Sequence, residues 1–192
     1  PFRQDLRPRY RAQAGRSAVG DADLVEAFGN GLARERERAV DPGAAYGPAK
    51  QWPIGNVTAL ARQLAGRGFE IWVLGSGGEQ GLGEQIRSGA GAAVFNLCGQ
   101  TSLEDTVDLL SAAHTAVTND SGLMHVAAAA GTRVVAVYGS SSPHFTPPLT
   151  PRKAIVYLSL ECSPCFKREC PLGHLNCLNQ ISPASVLAAM HL

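Results

Sequence analysis

The sequence predicts an α/β fold, a Rossmann-like doubly wound parallel sheet with helices on both faces. Three observations carry that prediction. The stretch 116–139, AVTNDSGLMHVAAAAGTRVVAVYG, reads as strand, tight turn, helix, strand. Within it, RVVAVY (Arg133–Tyr138) is a continuous β-branched and apolar run, the pattern of a parallel strand buried on both faces. Upstream, apolar runs at 69–74 and 94–97 alternate with helical patterns, and repeated βαβ units build doubly wound sheets.

The elements follow in order. Residues 1–20 are basic, with Arg3, Arg7, Arg9, Arg11 and Arg16, and show no period. Asp21 is placed to cap a helix running to about Ala39, with Leu24, Val25, Phe28 and Leu32 on one face. The triplet Gly29-Asn30-Gly31 weakens it, and the charged run 34–38, RERER, reads as its exposed end. Residues 1–40 are therefore read as a partly helical leader, and 41–192 as the Rossmann-like domain. Asp41-Pro42-Gly43 opens a Gly/Pro-rich loop in which Lys50 is the only cation. A helix follows, with Val57, Leu60, Ala61 and Leu64 on one stripe and Gly66-Arg67-Gly68 at its end. Strand 69–74 leads into the turn Gly75-Ser76-Gly77-Gly78-Glu79, which fits neither GxGxxG nor a Walker loop. A helix at 80–88 and a strand at 94–97 come next.

Ser102 and Asp105 are spaced as a capping box for a helix running to about His114, with Leu103, Val107, Leu110 and Ala113 turned inward. Residues 123–130 form an Ala-rich helix, and Gly131 is placed to end it. After strand Arg133–Tyr138 the loop GSSSPHFTPPL leaves the sheet at the edge where open α/β sheets bind ligands. His144 and Thr146 on it are candidates for a place near substrate. A strand at 154–160 precedes the cysteine segment, and Ser182-Pro183 starts a last helix running to Leu192.

Composition narrows the function. The chain has 192 residues, 45% hydrophobic and 17% charged, with a net charge of +1. That is enough apolar material for a core and too little net charge for nucleic-acid binding through bulk electrostatics. No apolar run is long enough to span a bilayer, and the polar start PFRQDLRPRYRAQ is not a secretory signal. Four of the five cysteines fall between Cys162 and Cys177, an odd total that suits a reduced compartment.

The chemistry is expected at the turn Asn119-Asp120-Ser121-Gly122. The first amides of a helix lack internal partners and carry the positive end of its dipole, so a phosphate fits there. Ser121 adds a hydroxyl, and Gly122 removes a Cβ from the approach. His125 lies one turn on, on the face of Ser121. Asp120 suits hydroxyls of a ribose or sugar. Lys50, facing this turn, would meet a diphosphate as a point charge. The plain alternatives are a capped helix, with Asp120 or Ser121 as N-cap and His125 packed at an interface, and a solvated lysine. The cysteine segment reads Cys162-x2-Cys165-x4-Cys170-x3-His174-x2-Cys177. Its spacing fits structural zinc, disulfides or free thiols, and the segment is expected to be a structural staple, by metal or by disulfide, remote from the sugar chemistry.

These motifs together resemble the bacterial lipopolysaccharide heptosyltransferases of glycosyltransferase family 9. The resemblance rests on TNDSGLMHVAAAAGTRVVAVYGSSSPHFTPPL, upstream PGAAYGPAKQWP and downstream CSPCFKRECPLGHLNC, and covers about 41–192. It implies the C-terminal, donor-binding half of a GT-B enzyme, and transfer of L-glycero-D-manno-heptose from ADP-heptose to the inner-core heptose with inversion. It implies that Lys50, Asp120, Ser121, Gly122, Leu123 and His125 hold the diphosphate and heptose, with Lys50 and His125 supporting the leaving group. It places Thr101 near the adenine. No metal is implied at the donor site. The implied partners are ADP-heptose and a lipid A–Kdo–heptose acceptor at the cytoplasmic face of the inner membrane, with no nucleic acid. The family's acceptor domain and general base have no match in residues 1–40. The rival readings are a nucleotide-binding module without catalysis and a GT-B nucleotide-sugar epimerase.

Overall fold

The computed structural model describes residues 37–44 and 46–191. Six strands form one parallel sheet: β1 (Glu37–Val40), β2 (Glu70–Val73), β3 (Val94–Asn96), β4 (Thr115–Asn119), β5 (Arg133–Tyr138) and β6 (Lys153–Tyr157). Their order across the sheet is β3-β2-β1-β4-β5-β6. The chain builds outward one way from β1 to β3, then returns beside β1 and builds the other way from β4 to β6. The crevice where the direction reverses lies between the C-terminal ends of β1 and β4, which pair in parallel from Arg38 with Thr115 to Val40 with Val117.

The helices are α1 (Ile54–Ala65), α2 (Gln80–Ala90), α3 (Leu103–Ala112), α4 (Gly122–Ala129), α5 (Asn176–Asn179) and α6 (Pro183–Ala189). Two apolar layers result. On one face Leu60 and Leu64 of α1, Ile86 of α2 and Val186 of α6 pack on Ile71, Val73, Val117, Val135 and Val137. On the other, Leu109 and Leu110 of α3 and Met124 and Ala127 of α4 pack on Trp72, Ala116, Val134, Ala136 and Tyr138. The alternation along β5 sends Val135 and Val137 one way and Val134, Ala136 and Tyr138 the other. This is why its sequence is apolar throughout.

Local capping chemistry sets several boundaries as expected. Ser102 accepts the Asp105 N–H at 3.1 Å, and the Asp105 carboxylate accepts the Ser102 N–H at 3.1 Å. Ser182 accepts the Ser185 N–H at 3.1 Å, and Pro183 is the first residue of α6. Gly131, at φ 78, closes α4 in the left-handed region.

Two expectations are corrected. The helix read from Asp21 to Ala39 lies outside the described residues up to 36, but its end is not helical. Glu37–Val40 is the central strand, so the sheet begins ahead of residue 41. Glu37 and Arg38, read as an exposed charged end, are 3% and 2% exposed. Arg38 lies under Phe69, 4.3 Å from the ring centroid, and burial pulls its pKa down to about 10. The inward face of α3 is also different. Leu110 and Ala113 are buried as expected, but Leu103 is 63% and Val107 38% exposed, and the buried stripe includes Thr106 and Leu109 instead. Both stripes fit a 3.6-residue period, and the deciding contact, the sheet under Leu109 and Leu110, is not visible from spacing.

Leu110→Ala is expected to lower stability by about 2–5 kcal/mol, whereas Leu103→Ala is expected to stay within about 0.5 kcal/mol. Urea unfolding of the two variants checks this, and equal losses would contradict the burial pattern.

Candidate functional site

The loop leaving β1 crosses the crevice and is held there by one side chain. Asn119, the last residue of β4, accepts the Trp52 N–H through Oδ1 at 2.9 Å and donates through Nδ2 to the Gly43 carbonyl at 2.8 Å. Asn119 is buried, so both bonds form away from competing water. The sequence placed it in the turn 119–122 without a role of its own. Trp52 is buried behind it, its indole N–H donating to the Ile181 carbonyl at 3.0 Å. The short 3-10 turn Pro48–Lys50 is fixed on both sides. The Ala49 N–H donates to the Arg168 carbonyl at 3.0 Å, and the Ala49 carbonyl accepts the Ser140 N–H at 3.3 Å. Gly47 precedes the turn at φ 154, and a Cβ there would stand 2.7 Å from the Arg168 carbonyl oxygen.

This placement sets Lys50 at the start of α4. Its Nζ lies 2.6 Å from Asp120 Oδ2, with the two side chains 17% and 5% exposed. The same Nζ sits 4.8 Å from the Tyr46 ring centroid, and the Arg168 guanidinium 5.0 Å from it. Asp120, expected to meet sugar hydroxyls, is thus paired with the lysine. Ser121 does not cap α4, which has no side-chain cap. Its hydroxyl donates instead to Asp41 in a short hydrogen bond. Gly122 is exposed, with nothing within 4 Å of where a Cβ would stand, so the approach to these first amides is open.

Asp41 is a site residue that the sequence reading passed over. Its carboxylate accepts the Ser121 hydroxyl and, at 3.1 Å, the Gly43 N–H. Burial raises its pKa to about 7; these two hydrogen bonds oppose the rise and nearby Glu79 adds to it. Glu79 accepts the N–H and hydroxyl of Ser76 at 2.6 and 2.7 Å. It presses on the β1 loop so closely that a Cβ on Gly43 would fall 1.3 Å from its Oε1. No local motif marks Asn119 or the pairing of Asp41 with Ser121, because the partners lie 67 to 80 residues apart.

The remaining expected residues are distributed as follows. Leu123 is half-buried and His125 is exposed on α4, rather than packed at an interface. Thr101 is half-buried after β3, its hydroxyl 3.0 Å from that of Thr106. His144 and Thr146 are exposed, and the Thr146 carbonyl accepts the buried Tyr138 hydroxyl at 2.6 Å. All five cysteines are free. Among the described residues, no group of three His, Cys, Asp or Glu side chains is gathered as metal ligands. The cysteine loop is not remote from the turn. Its Arg168 carbonyl holds Ala49, next to Lys50, and its Phe166 carbonyl accepts the Tyr46 hydroxyl at 3.2 Å.

Among the described residues, a six-stranded parallel sheet of order 3-2-1-4-5-6, with an uncapped helix N-terminus and a fixed lysine at the reversal crevice, defines a Rossmann-type domain. A family model for glycosyltransferase family 9 (heptosyltransferase) matches residues 9–176, and the chain belongs to that family. It is 41% identical over 154 residues to lipopolysaccharide heptosyltransferase 2 of Salmonella typhimurium, covering 78% of this chain and 44% of that protein. It superposes on the solved E. coli ADP-heptose lps heptosyltransferase II with TM-score 0.72 and 36% identity, over 86% of this chain and 48% of that one. The E. coli iron-containing dodecameric glycosyltransferase TibC shares the fold, with TM-score 0.65 and 22% identity over 81% and 44%. The chain thus spans about half the length of the relatives it matches.

Asp41 carries a pH prediction. Its pKa is raised in the folded state, from an ordinary 3.8 to about 7. The folded protein therefore holds a proton that the unfolded chain releases, and stability falls as pH rises through that window. Asp41→Asn is expected to flatten this fall. Urea unfolding of both proteins between these pH values checks it, and parallel profiles would contradict it.

Proposed function

We propose that the crevice between β1 and β4 binds the diphosphate of ADP-heptose, and that residues 37–191 are the donor-binding part of a heptosyltransferase of lipopolysaccharide core assembly. The observation that carries this is Lys50, held 2.6 Å from Asp120 over an α4 N-terminus that no side chain caps. The N–H groups of Ser121, Gly122 and Leu123 take the diphosphate oxygens, and Lys50 supplies the full positive charge beside them. Asp120 orients Lys50 and leaves its outer oxygen to sugar hydroxyls. Thr101, on the loop after β3, stands on the adenine side. His125, one turn into α4, stands by the phosphate as a further donor. The solved relative named for ADP-heptose, together with the 41% identical Salmonella protein, supports this donor over others.

The reaction is inverting transfer. A deprotonated acceptor hydroxyl attacks the anomeric carbon, the bond to the diphosphate oxygen breaks, and ADP leaves. Negative charge grows on the departing diphosphate, and preorganised positive charge there stabilises the transition state more than the ground state. The α4 amides and Lys50 are that charge. The acceptor is the inner-core heptose of a lipid-borne saccharide, which places the reaction at the cytoplasmic face of the inner membrane. No described helix is long and apolar enough to cross a membrane.

Lys50→Ala is expected to weaken ADP binding by about 1.5–3 kcal/mol, roughly tenfold to 150-fold in the dissociation constant. Isothermal titration at low salt checks this, and an unchanged constant would contradict the assignment. A transfer assay with ADP-heptose and a heptose-terminated core acceptor, using the full-length protein, separates catalysis from a binding module. Tight ADP binding without transfer would leave the binding module as the better reading.

A further inference from the structure

Outside the diphosphate crevice, one cluster of soft ligands stands out among the described residues. Cys162, Cys165, Cys170, Cys177 and His174 line a single cavity of about 20 Å³, with Ala49 and Ser140 also on its wall. A cavity of that size holds about one water-sized body. All four thiols are free, so no disulfide competes for them.

Three features of the loop suit a metal. Its start is pinned to the sheet. The Ser163 hydroxyl donates to the Gly139 carbonyl, and the Phe166 N–H donates to the Ser140 carbonyl at 2.7 Å. Its end is pinned by α5, where Cys177 is buried. Between them, the Gly173 N–H donates to the Cys170 carbonyl at 3.1 Å, a tight turn beside the Cys170 thiol that lines the cavity. The thiolate is the form of each cysteine that binds metal. His174 is less suited as a ligand. Its Nδ1 accepts the Asn176 N–H at 3.0 Å, which leaves the proton of the neutral ring on Nε2.

We propose that Cys162, Cys165, Cys170 and Cys177 are the four thiolate ligands of one divalent transition-metal ion, zinc or iron, and that this ion fixes the loop that holds the Lys50 turn. Among the described residues no three such side chains already stand together as ligands. Coordination draws the four sulfurs inward across a cavity one ion wide. Binding is not a redox step: four S–H bonds break, four metal–sulfur bonds form, and the protons go to solvent. An all-sulfur tetrahedral set suits zinc or iron, and a closed set leaves no position for substrate. The ion's influence on the crevice runs through the backbone, by way of the Arg168 carbonyl that accepts the Ala49 N–H at 3.0 Å.

The test is elemental analysis of the full-length protein purified reduced and without chelator. One metal equivalent per chain is expected. The elemental analysis distinguishes the two metals, and thiolate-bound iron turns red on oxidation in air whereas zinc stays colourless. Cys170→Ser is expected to lose the metal, while Cys98→Ser, which changes a core thiol away from the loop, is expected to keep it. To separate metal loss from unfolding of the loop in Cys170→Ser, the wild-type protein is also stripped with a chelator and followed by hydrogen exchange. The Ala49 amide is expected to exchange at least tenfold faster once stripped and to recover its protection when zinc is returned. Less than a tenth of an equivalent of zinc or iron, both as purified and after zinc is added to the reduced protein, would overturn the proposal. So would a disulfide among the four cysteines in the reduced protein, or metal retained by Cys170→Ser. Unchanged Ala49 exchange would overturn the link to the Lys50 turn.

Discussion

One buried amide side chain sets the geometry of this domain. Asn119 ends β4 and binds the β1 loop twice, at the Gly43 carbonyl and the Trp52 N–H. Without it, the ten residues from Pro42 to Gln51 would cross the crevice with few ties to the sheet. A neutral intramolecular hydrogen bond contributes only about 1 kcal/mol net, but leaving a buried amide unpaired costs about 1–3 kcal/mol. The loop therefore has a strong reason to stay where Asn119 holds it. The position of Lys50 follows, and so does the lysine's approach to Asp120. The ligands of the crevice thus come from two strand ends that are neighbours in the sheet and far apart in sequence.

The electrostatics of the crevice are arranged in layers. Asp120 keeps Lys50 in place at its buried side, while the α4 amides open outward at Gly122. Deeper, Asp41 takes the Ser121 hydroxyl, which would otherwise cap α4. The amide end of the helix is left without a side-chain cap because the Ser121 hydroxyl is bonded elsewhere. Burial pushes the Asp41 pKa up to about 7, so a second full negative charge in the crevice is held down near neutral pH.

How much of this was legible follows from the range of each interaction. Strand Arg133–Tyr138 could be read to its ends because burial on both faces writes itself into consecutive residues. The caps at Ser102 and Ser182 could be read because their partners lie three residues away. The strand Glu37–Val40 could not. Its charged residues look solvated until Phe69, from a neighbouring part of the sheet, covers Arg38. The face of α3 was misplaced for a similar reason, since two stripes fit one period. In the site, Lys50 and the turn at 119–122 were visible as residue types. Their facing each other was expected, but what fixes it was not, because Asn119, Asp41 and the Arg168 carbonyl act across long stretches of the chain. The cysteine loop read as remote by its place in the sequence and is adjacent in space.

The central claim is that the open N-terminus of α4, with Lys50 beside it, is a diphosphate site. The most direct measurement is a titration with inorganic pyrophosphate, followed by amide and lysine-ammonium chemical shifts in the labelled protein. Pyrophosphate carries the charge without the adenosine or the sugar, so it isolates the interaction. The account predicts that the largest changes fall on the N–H groups of Ser121, Gly122 and Leu123 and on the Lys50 ammonium. Shifts gathered at the Gly75–Glu79 turn or at other helix N-termini, with these groups unmoved, would contradict it.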